Sequence, residues 1–124
     1  AFLRSLHFYN ENERVIKAFN ALNENRLDDF FACVRASGQS SWMLLQNLWS
    51  KPDRQALCYS LALADSVLGE SGASRVHGGG FAGTTLHFVK NELLDSFVKT
   101  MQESFGDKAC IVVDVRSCGP VSVF

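Results

Sequence analysis

The run Gly78-Gly79-Gly80-Phe81-Ala82-Gly83 constrains this chain more than any other stretch. Four glycines and an alanine surround one phenylalanine, between strand-like residues 73–77 and 84–89. Without a Cβ, glycine takes left-handed φ angles and lets its backbone lie against another backbone or a ligand. Two roles fit. One is a glycine-rich hairpin between two strands with no ligand. The other is a concave surface of backbone N–H groups that holds an anion, usually phosphate.

The rest of the chain sets the context for that turn. Residues 2–9 are rich in apolar and aromatic side chains and read as a first strand. Asn10, with Glu13 three residues on, has the pattern of a helix capping box. Val15, Ile16, Phe19 and Leu22 then define one helical face, broken by Asn23-Glu24-Asn25. Leu27, Phe30, Phe31 and Val34 define a second helix, with Asp28 and Asp29 in the first turn, where carboxylates suit the positive helix end. Ser37-Gly38-Gln39-Ser40-Ser41 interrupts the pattern. It lacks the lysine and glycine spacing of a P-loop and reads as a helix irregularity or a junction.

Residues 42–49 are expected to be helical, with Trp42, Met43, Leu44, Leu45, Leu48 and Trp49 in the core. Lys51-Pro52-Asp53 is a turn, and Pro52 suits the start of the next helix. Leu57, Leu61, Ala64 and Leu68 face inward from that helix, and Gly69 stops it. The period then changes to two across the glycine turn. Asn91 caps a last helix with Leu93, Leu94, Phe97, Val98 and Met101 inside, ended by Gly106. Residues 110–115 are β-branched and read as a final strand, with Ile111, Val113 and Val115 on one face. The order is βαββαβ: an α+β, ferredoxin-like split fold, with an antiparallel sheet and helices on one face, in one domain over residues 1–124.

A length of 124 residues with 47% hydrophobic content supplies one core without disulfide staples. The net charge is −1 and the basic residues are scattered, so nucleic acid is not an expected partner. No apolar run approaches the ~18 residues of a membrane span, and no signal peptide is visible. Cys33, Cys58, Cys110 and Cys118 match neither a zinc site nor a redox pair and read as reduced thiols of a cytoplasmic protein. His7, His77 and His87 lack ligand spacing, so no metal site is expected. The chain opens on Ala1-Phe2-Leu3-Arg4 without an initiator methionine and reads as a piece of a longer polypeptide.

Three stretches together resemble one family. Residues 68–84, which end in Arg75-Val76-His77-Gly78-Gly79-Gly80-Phe81-Ala82-Gly83-Thr84, are similar to the third signature motif of galactokinases, in the GHMP small-molecule kinase superfamily. Glu11-Asn12-Glu13-Arg14-Val15 resembles the family's Glu-Asn-Xaa-Arg-Val at the first helix of its C-terminal half. Phe105-Gly106-Asp107-Lys108-Ala109-Cys110, with Gly119-Pro120 beyond, resembles the galactokinase C-terminus. The resemblance implies the C-terminal domain of an enzyme that phosphorylates galactose to galactose 1-phosphate with ATP and Mg2+. It implies as partner the N-terminal half of the kinase, which holds the serine-glycine ATP motif and the catalytic carboxylate. No catalytic residue is assigned to this chain. What carries over is support of the nucleotide phosphate site by Gly78, Gly79, Gly80, Phe81, Ala82 and Gly83.

His77 stands where many members have a small hydroxyl residue, and Ala82 replaces a frequent glycine. His77 either tunes the phosphate site or caps a strand end. Two further readings remain open. One is another GHMP kinase, acting on a different sugar or small alcohol. The other is a free-standing ferredoxin-like ligand-binding module, since such sheets host many functions.

Overall fold

The computed structural model describes residues 1–48, 51–81, 83–115 and 117–119. Helix α1 (Phe2–Asn23) is followed by α2 (Leu27–Ser40), which runs on into a π-helical turn (Ser41–Leu45). Helix α3 (Ala56–Leu68), strands β1 (Gly72–Val76) and β2 (Thr85–Val89), and helix α4 (Leu94–Phe105) complete the order. The class is α+β, with a two-stranded antiparallel sheet among the described residues.

The hairpin is the frame. Its register runs from Gly72 opposite Val89 to Val76 opposite Thr85. The His77 N–H donates to the Thr84 carbonyl at 3.0 Å and closes the neck of the glycine loop. Glycine is required at the far end: a Cβ on Gly72 would lie 2.6 Å from the Phe88 carbonyl oxygen. Helix α2 comes close to β1 at Gly38, where a Cβ would sit 3.1 Å from the Ser74 carbonyl oxygen. That approach seats Phe31 and Val34 on Ala73, with Phe30 edge-on to Phe88 at 5.1 Å between ring centroids. Leu48 and Leu57 pack on Val76, while Ala64 and Leu68 of α3 meet Phe97 and Met101 of α4. Each large side chain buried in this way contributes ~1.5–3 kcal/mol. Gly69 (φ +50°) and Gly106 (φ +96°) end α3 and α4 in left-handed backbone, as expected of helix stops.

The expected first strand is a helix. Residues 2–9 open α1, and Asn10 lies inside it rather than at its cap. The reason is a stripe that hydrophobic patterning does not show. α1 turns His7, Glu11, Arg14, Ala18 and Ala21 inward, while Phe8, Tyr9, Val15, Ile16, Phe19 and Leu22 are each more than half exposed. Its buried stripe is polar and small, and its apolar stripe faces out. The expected last strand is also missing: residues 110–115 form no ladder, and Ile111, Val113 and Val115 are exposed. β-Branched alternation favours a strand only where a partner strand and a packed face exist. The described residues therefore do not form the expected split βαββαβ.

Smaller corrections follow the same logic. Trp42 and Met43 are exposed, because the π-helical turn swings them off the core that Leu48 joins. Trp49 lies outside the described residues. Pro52 sits in a turn closed by Arg54 N–H to the Lys51 carbonyl at 3.0 Å, and α3 starts only at Ala56. Asn91 opens a 3-10 turn (Asn91–Leu93) ahead of α4 and makes no side-chain cap.

Candidate functional site

The glycine loop is built on alternating backbone hands. Gly78, Gly80 and Gly83 have φ of +62°, +84° and +86°, whereas Gly79 between the first two needs no left-handed angle. Turns of this alternating kind gather N–H groups into anion-binding concavities. Phe81 follows with φ +24° and a side chain 63% exposed. Ala82 lies outside the described residues.

One side of the loop is held down. The Phe81 N–H donates to the Asn47 carbonyl at 3.2 Å. The Asn47 Nδ2 donates to the Gly79 carbonyl at 3.3 Å, and Asn47 Oδ1 accepts from the Ser41 hydroxyl at 3.2 Å. Asn47 and Ser41 are buried, and so is Gly80. Local backbone puts Asn47 there. The π-helical turn closes with the Gln46 N–H on the Ser41 and Trp42 carbonyls, and Gln46 is left-handed at φ +56°. Such π-turns recur at functional sites. The opposite side of the loop is open: a Cβ on Gly78, Gly79 or Gly83 would meet nothing within 4 Å. His77 is exposed at the end of β1, where its main chain closes the neck.

A separate polar chain links β1, α2 and α1. Arg75 of β1 donates to the Ser37 hydroxyl at 2.6 Å, and that hydroxyl donates to Glu11 at 2.8 Å. Arg14 donates to the other Glu11 oxygen at 2.5 Å, while His7 lies 3.5 Å from Glu11 and 2.9 Å from the Ser40 hydroxyl. Burial pushes the Glu11 carboxyl up, but the hydrogen bonds from Arg14 and Ser37 and the charge of Arg14 outweigh it and hold it below its ordinary range. Glu11 and Arg14 of one sequence motif thus meet Arg75 of the other through Ser37. Ser37→Ala removes the bridge between half-buried Arg75 and Glu11. It is expected to cost about 1–3 kcal/mol, read as a lower urea midpoint. An unchanged midpoint would show that the hydroxyl is not a bridge.

Sequence reasoning found the loop and Arg75 but missed Asn47, Ser41 and Ser37. The two serines fall in the stretch set aside for lacking P-loop spacing. Asn47 carries no spacing signal at all, because its role depends on the left-handed turn at Gln46.

Comparison with known proteins adds to this geometry. The chain is similar to galactokinases over most of its length. It is 29% identical over 105 residues to the galactokinase of Glaesserella parasuis serovar 5 (strain SH0165), covering 85% of this chain and 26% of that protein. Against the galactokinase of Clostridium perfringens (strain SM101 / Type A) it is 30% identical over 115 residues, covering 84% of this chain and 25% of that protein. Against that of Bacillus subtilis (strain 168) it is 28% identical over 114 residues, covering 90% and 27%. The chain spans about a quarter of the length of these curated relatives. No family profile and no solved structure matches it.

Proposed function

We propose that this chain is the C-terminal domain of a galactokinase, which transfers the γ-phosphoryl group of ATP to the anomeric hydroxyl of galactose. The observation that carries the reading is the glycine loop, pinned on one side by Asn47 and open on the other. Phosphoryl transfer rests on positioning and on stabilisation of developing charge. A backbone already fixed in place offers N–H donors that need no reorganisation when the phosphate arrives. In this reading residues 78–83 support the nucleotide phosphate site, with His77 at its edge. In this reading Mg2+ arrives with ATP, bound to its phosphates.

The outward stripe of α1 supports a larger kinase context. Phe8, Val15, Phe19 and Leu22 lie at i, i+7, i+11 and i+14, on one helical face. An exposed apolar stripe of this length marks a contact surface. We assign it to the rest of the polypeptide, since the relatives are about four times as long. The same remainder would give residues 110–115 a strand partner and complete the ferredoxin-like sheet. No helix among the described residues is long and apolar enough to cross a membrane. With four free thiols, a cytoplasmic setting fits.

The test compares the longer polypeptide encoded with this sequence and the 124-residue chain. The longer protein should release ADP from ATP only when galactose is present, with galactose 1-phosphate as product, and the 124-residue chain alone should not. Absence of galactose-dependent ADP release from the longer protein overturns the reading.

A further inference from the structure

We infer that Asn47 is the positioning residue of the glycine loop, oriented by Ser41, and that through the loop it sets the nucleotide phosphate site. The second half rests on the proposed kinase function; the first does not. One residue touches three successive loop positions. Its side-chain amide binds the Gly79 carbonyl, its carbonyl receives the Phe81 N–H, and its own Cβ and carbonyl form the floor under Gly80.

The choice of asparagine is informative. Asn47 is 3% exposed, and a buried amide is costly unless both ends are bonded. A hydrophobic side chain would fill the same space, so the amide is explained by what it binds. Its orientation follows from its neighbours. Turned over, Oδ1 would face the Gly79 carbonyl, two acceptors with no hydrogen between them. The Ser41 hydroxyl, 1% exposed, donates to Oδ1 and so fixes Nδ2 toward the loop. The next residue, Leu48, packs with Leu57 and with Val76 at the end of β1. The clamp therefore ties the loop to the core that carries the hairpin.

The variant Asn47→Asp keeps size and shape but replaces the donor toward Gly79 with an acceptor. In the longer polypeptide, amide hydrogen exchange over residues 77–84 should quicken about tenfold, the equivalent of one typical hydrogen bond. Exchange in α3 and α4 should not change. The KM for ATP should rise about tenfold with the KM for galactose unmoved, a split that general loss of packing would not produce. Ser41→Ala, which leaves the amide donor but frees it to rotate, should move both readouts the same way by about threefold. Unchanged loop exchange in both variants overturns the clamp. Faster loop exchange with an unchanged ATP KM keeps the clamp and overturns the phosphate-site half. Equal acceleration across the whole chain shows a core residue and overturns the inference.

Discussion

On the proposed kinase function, Gly80→Val in the longer polypeptide is expected to lower galactose phosphorylation by about 100-fold or more, the scale on which misplacing catalytic parts by ~1 Å is felt. Gly80 sits at φ +84°, where a side chain is strained, and a Cβ there would overlap the Asn47 carbonyl oxygen. The obstruction is backbone, so no rotamer change relieves it. The strain at such a φ is of order 1–3 kcal/mol before the overlap is counted. The loop's escape is to lift off Asn47, which breaks the bonds to Gly79 and Phe81 together. Gly79→Ala is the internal control. Its φ is not left-handed and its Cβ would meet nothing within 4 Å, so it should melt like the parent, and any loss of turnover it shows reports on the open face rather than on the clamp. From the glycine run alone, both Gly79 and Gly80 are expected to reject side chains; the structure assigns the packing constraint to Gly80. Steady-state kinetics and thermal melting of both variants beside the parent make the test. Near-parental turnover in Gly80→Val would reduce the loop to a hairpin.

The difference between Gly79 and Gly80 illustrates what the sequence could and could not convey. Punctuation by glycine was legible: Gly69, the loop and Gly106 bound the hairpin, α3 and α4 where they were expected. Those elements bury their own apolar faces, so their periodicity reports their packing. Helix α1 defeats the same logic. Its inward residues His7, Glu11, Arg14, Ala18 and Ala21 recur at helical spacing, but charged, polar or small side chains do not register as a core face. Its outward aromatics read instead as a strand followed by an amphipathic helix. Residues 110–115 mislead in the opposite way, with the composition of a strand and no partner among the described residues. The glycine loop could be found by motif, whereas its clamp could not. Asn47 reaches the loop only because α2 runs on into a π-helical turn and Gln46 reverses the chain.

The hairpin also carries a titratable group that should govern stability in mild acid. His87 of β2 is flanked by hydroxyls: Ser74 Oγ lies 2.9 Å from Nδ1 and Thr85 Oγ1 lies 2.7 Å from Nε2. Its ring packs against Phe97 at 5.2 Å. Burial pushes its pKa down from 6.5 to about 4, so the folded hairpin holds the ring neutral. Above 6.5 the ring is neutral in both folded and unfolded chains, and stability does not depend on it. Between 6.5 and about 4 the unfolded chain binds a proton that the folded chain does not, so stability falls as pH falls. Below about 4 both states are protonated and the loss levels off. The full loss is on the order of 3 kcal/mol. Glu11 acts in a lower window: its depressed pKa contributes stability above 4.5 that is lost only as pH drops below that value. His87→Gln keeps an amide between the two hydroxyls and does not titrate. Urea unfolding at intervals from pH about 7 to about 4 should show the parent losing on the order of 3 kcal/mol more than the variant. Most of that difference should accumulate before Glu11 begins to protonate. Parallel profiles for parent and variant would mean that His87 does not stay neutral on folding, and that the pH dependence of the hairpin originates elsewhere.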